Sequence, residues 1–119
     1  MPTLDQILAL PVGPFVLLLI AAMLEVLGDS FFQSALHRSA GLPRVMFIVV
    51  GALVLVLYGT VVNLPRWDFG KLLGVYVALF FICAQIVAKL RFHQATTLPV
   101  RLGGLLIVSG GLIISFWKG

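Results

Sequence analysis

Glu25 and Asp29 stand in an otherwise apolar stretch that runs from about residue 15 to residue 36. An ionisable group inside a membrane span costs about 2.5 to 3.5 kcal/mol at the helix centre on insertion scales, which makes it a functional candidate by default. Four residues apart on a helix, the two acids lie one turn from each other on one face. That face also carries Leu18, Ala21, Ala22, Gly28, Phe32 and Leu36, and the small residues among them admit a neighbouring helix, water or a ligand. The face is therefore expected to point inward. No Lys or Arg falls at the centre of any apolar run to neutralise the acids. Their natural partners are protons or a positively charged ligand, and a carboxyl so placed can exchange one for the other.

The elements that must hold these acids follow from composition. Of 119 residues, 61% are hydrophobic and 10% charged, with a mean hydropathy of +1.18, outside the range of a soluble domain. About 20 apolar residues cross a bilayer core as a helix. The chain has four such runs, at about 13–36, 45–62, 71–90 and 102–117, and they make one four-helix transmembrane domain over 1–119. The fold class is an all-α membrane protein with four transmembrane helices per protomer, assembling as a dimer. The second run is rich in β-branched residues, but a lone strand leaves its backbone unsatisfied in lipid, so helix is required there too. Residues 1–12 contain no Lys or Arg, and a signal peptide needs a basic start; the first span is expected to be retained. The single Cys83 cannot form an internal disulfide and reads as a small packing residue.

Charge sits at the span ends. Arg38, Arg44, Lys89, Arg91 and Arg101 fall on the side of links one and three, against Arg66, Lys71 and Lys118 on the other. The bias weakly favours a cytoplasmic location for links one and three, and it is small enough to permit insertion in both senses. A net charge of +4 and a pI near 9.9 are explained by lipid headgroups, so no nucleic-acid partner is expected. Nothing resembles a nucleotide-binding loop, a metal-ligand cluster or a nucleophile with a matching base. The sequence therefore predicts a protein that is not an enzyme and uses no cofactor or metal.

The segment LEVLGDSFFQSAL, from Leu24, resembles the first helix of the small multidrug resistance family of the drug/metabolite transporter superfamily. The Gly-containing GGLLIVSGGLII, from Gly103, and the preceding HQATTLP resemble that family's last helix and the link into it. The resemblance spans about residues 15–117. It implies that Glu25, followed by Gly28, is the site where protons and a cationic substrate compete, and it implies a bacterial inner membrane. The family's multidrug members usually carry a Tyr and a Trp in the third span that pack against flat cations. Here FGKLLGVYVALFF has no Trp, and alternative registers point to Tyr76 or to Phe69. Asp29 replaces a small polar residue of the family pattern, which puts the substrate in question.

Four short helices are too few to enclose a substrate path, so transporters of this logic pair two related units around a midplane site. Gly103 and Gly110, with Gly104 and Gly111, repeat at seven residues and offer a smooth stripe for a second copy or for packing within the chain. Gly70, Gly74 and Ala78 form a similar small-residue run in span three, which reads as helix contact. Tyr76 and Phe80 lie together on the opposite face, where an aromatic can stack on a cation. The sequence predicts a proton-coupled antiporter that exports small cationic or lipophilic compounds as a homodimer, with antiparallel pairing open. Glu25, Asp29, Gly28 and Tyr76 are the candidate proton and substrate residues. The alternatives are a non-transporting small membrane subunit and a lipid or amphiphile carrier of the same superfamily.

Overall fold

The computed structural model describes residues 13–117. They form four helices: α1 (Gly13–His37), α2 (Gly41–Val62), α3 (Phe69–Phe92) and α4 (Leu98–Phe116). At 1.5 Å per residue the shortest, of 19 residues, is about 28 Å long and the longest, of 25, about 37 Å. Each is long and apolar enough to cross a membrane. The helices run past the apolar runs into their basic flanks: Arg44, Arg91 and Arg101 are all helical. A long cationic side chain at a helix end lays its stem on apolar surface and its head at the interface, so the backbone does not have to stop where hydropathy does.

Local chemistry sets the ends. Gly41 opens α2 with a φ of +62° and nothing within 4 Å of where a Cβ would stand, a conformation open to glycine without steric cost. The last carbonyls of α1 are taken up by the chain itself. Ser39 Oγ donates to Ser34 O at 2.9 Å and Arg44 Nε to Ala35 O at 2.8 Å, which satisfies acceptors that a helix terminus leaves open and places a cation at its negative end. His93 ends α3 in the left-handed region, at φ 53°, the turn that lets Gln94 N–H reach back to Ala88 O at 3.1 Å. Pro99 falls in the first turn of α4, where its missing N–H costs nothing.

The links 38–40, 63–68 and 93–97 are short, so sequential helices run antiparallel. α1 packs along α2 and along α3, and α3 packs along α4. The spatial order is thus α2, α1, α3, α4, a slab with principal extents of 50 × 40 × 24 Å. The core lies between α1 and α3: Leu18, Ala21, Ala22 and Val26 meet Leu72, Val75, Cys83 and Val87, with Val62 of α2 closing one end. Cys83 is buried in it. α2 and α4 turn residues such as Leu53, Val56, Leu105 and Leu106 outward, as lipid-facing surfaces do.

Two crossings are close because glycine is present. At the α1–α2 crossing a Cβ on Gly28 would stand 2.7 Å from Leu55 Cδ2 and 3.2 Å from Gly51 O. On the α3–α4 seam a Cβ on Gly111 would collide with Ala78 Cβ, one on Gly104 would stand 2.5 Å from Phe81, and one on Gly74 2.7 Å from Ile114. Small residues bring helix backbones together and gain dispersion contact where no hydrophobic force acts between lipid-soluble surfaces.

Candidate functional site

Glu25 sits midway along α1, and α1 lies between α2 and α3. Its carboxyl is partly buried and accepts a hydrogen bond of 2.5 Å from the hydroxyl of Tyr76 on α3. Tyr76 is 4% exposed, so this hydroxyl has little access to water and the carboxyl supplies its acceptor. Tyr58 of α2 covers the same ring, with centroids 5.8 Å apart and planes inclined by 30°. Its own hydroxyl lies within the influence of Glu25 and Tyr76. Phe80, one turn beyond Tyr76, continues the aromatic surface at 6.0 Å. Three helices therefore deliver one carboxyl, two phenols and a phenyl ring to one locus. An acid surrounded by π-faces attracts a cation twice, through its charge and through the ring quadrupoles.

From Phe80 a cavity of about 300 Å³ opens between α1 and α3 towards the basic end of the molecule. Its polar groups are Asp29, Ser30, Gln33 and Gln94; Phe80, Ala84, Val87 and Phe92 form much of its apolar wall. Asp29 is exposed there, whereas Glu25 is partly buried against Tyr76. The expectation of one inward face carrying both acids is thus revised. Four residues advance a helix by about 400°, so Asp29 is rotated about 40° from Glu25 and meets the cavity instead of the tyrosines. Leu36, placed on the same face by the sequence, is 60% exposed.

The remaining candidates are distributed as follows. Gly28 lies in the α1–α2 crossing, buried against Leu55 and Gly51. Gly104 and Gly111 pack on α3 within the chain. Gly103 and Gly110 have nothing within 4 Å of a Cβ position. Tyr58 was not among the candidates, although its signal is present: the chain has two tyrosines, and a phenol inside a span must find an acceptor that lipid does not provide.

Fold and site together define a small multi-pass integral membrane protein of four helices, with a carboxyl–phenol group at its centre. In sequence it is similar to a UPF0060 membrane protein of Herpetosiphon aurantiacus, with 29% identity over 104 residues that cover 86% of this chain and 92% of that one. No protein-family model matches the chain, and no solved structure does. These findings correct the resemblance to the small multidrug resistance family: the relative found is a UPF0060 membrane protein, and nothing identifies the chain with that family or with its drug/metabolite transporter superfamily. The segments that carried the resemblance are an acid-bearing first span and a Gly-rich last one. Both are features that any compact four-helix membrane protein with an intramembrane acid uses for packing.

Proposed function

We propose that the protein is a proton-coupled antiporter of small organic cations, with Glu25 as the group that gives up a proton when the cation binds. The observation that carries this reading is the hydrogen bond from Tyr76 to Glu25 beneath the ring of Tyr58. The phenol orients the carboxyl by donating to it, and the neighbouring rings offer a cation a partly dehydrated seat. The cavity lined by Asp29, Gln33 and Gln94 is the approach to that seat, and Asp29 attracts cations into it. Exchange requires two conformations that bind cation and proton differently. The slab order of the helices leaves the approach open on one side of the chain. We take a second copy, docked along α4 on the open Gly103 and Gly110 face, to complete the path as a homodimer, in agreement with the logic of paired units around a midplane site.

The test is proton release from the detergent-solubilised full chain on adding a panel of organic cations. Wild type is expected to release protons, and Glu25→Gln to release none while keeping its helix content. Absence of release from wild type across the panel would overturn the antiporter reading.

A further inference from the structure

A second arrangement lies at the basic end and shares Phe92 with the wall of the Asp29 cavity. Arg91, in the last turn of α3, donates from Nη2 to Ser34 Oγ at 2.9 Å. Its Nε is shut off from water and has no acceptor. The guanidinium lies 5.0 Å from the ring centre of Phe31 and 5.4 Å from that of Phe92. Arg38 lies over the same Phe92 ring at 4.4 Å. Among the described residues neither arginine has a carboxylate within ion-pair reach. Arg44, the neighbouring cation, is already engaged by the carbonyls of Ala35 and Ser39. Two guanidiniums thus converge on one ring with most of their donors unspent, and an arginine carries five.

The surface beside them is of opposite character. Phe31 stacks with Phe47 of α2 at 6.1 Å, and with Pro43, Met46 and Val50 these two rings line a wholly apolar cleft of about 290 Å³. Phe31 therefore has a guanidinium near its ring and this cleft along its side. Asp29 forms no ion pair with either arginine. It lies two residues before Phe31, about 200° around the helix, and faces the cavity on the α3 side. Charge above and a dry groove below, at the end of the spans where headgroups lie, complement an anionic amphiphile.

We propose that Arg91 and Arg38 hold the phosphate of an anionic phospholipid, one acyl chain of which occupies the cleft of Phe31, Met46, Phe47 and Val50. Guanidinium and phosphate match in geometry as well as charge. The apolar cleft selects a lipid over free phosphate. This site is separate from Glu25 and stands whether or not cation exchange occurs there.

The experiment is native mass spectrometry of the delipidated full chain titrated with phosphatidylglycerol and, separately, phosphatidylcholine, which bears the same phosphate beside a quaternary ammonium that the arginines repel. Wild type is expected to retain phosphatidylglycerol about tenfold more tightly, with Arg91→Gln and Arg38→Gln each lowering that preference about fivefold, the worth of one arginine near an anionic headgroup. Met46→Trp, which fills the cleft, is expected to weaken both lipids. Arg38 is exposed, so its variant reads the headgroup preference even where Arg91→Gln fails to fold. Equal retention of the two lipids by wild type, or an unchanged preference in Arg38→Gln, would overturn the proposal. Displacement of phosphatidylglycerol by equimolar inorganic phosphate would overturn the lipid assignment and leave a phosphate site.

Discussion

Helix α3 has two seams, and they are built from different materials. Towards α1 it presents Tyr76, Phe80 and Val87, and the joint holds a hydroxyl–carboxyl bond and an open cavity. Towards α4 it presents Gly74, Ala78 and Phe81; these meet Gly104, Gly111 and Ile114 with no room for a methyl group at the glycines, and the cavity of about 210 Å³ beside them is apolar. A side chain with a polar end needs space and a partner, whereas dispersion needs neither and rewards the closest approach. One helix thus separates polar groups from close packing by turning different faces to its two neighbours. The contrast is testable seam by seam, because a change on the adhesive side should cost fold and one on the chemical side should cost flux.

The largest effect is expected from Glu25→Gln. Proton release on cation addition should fall by at least about 100-fold, as expected when the exchanging acid of a span is removed, while circular dichroism stays that of the native helices. On the other seam, Gly111→Leu places a side chain where Ala78 already stands. It should destabilise the chain by about 1–3 kcal/mol, the usual cost of overpacking, read as a lowered thermal midpoint in detergent. Gly110→Leu, one residue away in open space, should change stability by less than about 0.5 kcal/mol and leave that midpoint nearly unmoved. If two copies meet along α4, it should instead abolish cross-linking between them. Equal thermal losses in the two glycine variants would break the distinction between an internal and an outward face of α4.

Tyr76→Phe is milder. It removes the donor to Glu25 and keeps the ring against Tyr58 and Phe80, so cation affinity measured by calorimetry should weaken about tenfold, the scale of one hydrogen bond to a charged group. The fold should persist, since intramembrane hydrogen bonds contribute about 0.6 kcal/mol on average. Smallest is Asp29→Asn, whose acid lines the approach without touching the tyrosines. It should slow cation uptake severalfold at low ionic strength and hardly at all in high salt, where screening removes the long-range attraction. An equal effect at both salt levels would make Asp29 part of the seat itself.

Much of this was legible in the residues. Four long apolar runs, each broken by Pro, Gly or arginine, leave helices as the one way to satisfy the backbone in lipid, and four membrane-length helices form. Glu25 was legible because a charge in such a run is expensive enough to need a reason. Tyr76 was half-legible, since it shared the field with Phe69, which is 68% exposed at the start of α3. Tyr58 was overlooked, because its acceptor sits on another helix and no spacing along the chain records that distance.

Hydropathy and intramembrane charge are properties of single segments, so the sequence alone determined the membrane class, the helices and the presence of an acid midway along the first. Which neighbour each face meets is a property of helix order and rotation. Only the tertiary structure set α1 between α2 and α3, joined Glu25 to Tyr76, turned Asp29 into a cavity, and split the glycines of α4 between an inner and an outer face. The physical reason is angular. Neighbouring residues on a helix point about 100° apart, so a rotation too small to alter any hydropathy pattern decides whether a glycine touches α3 or faces outward.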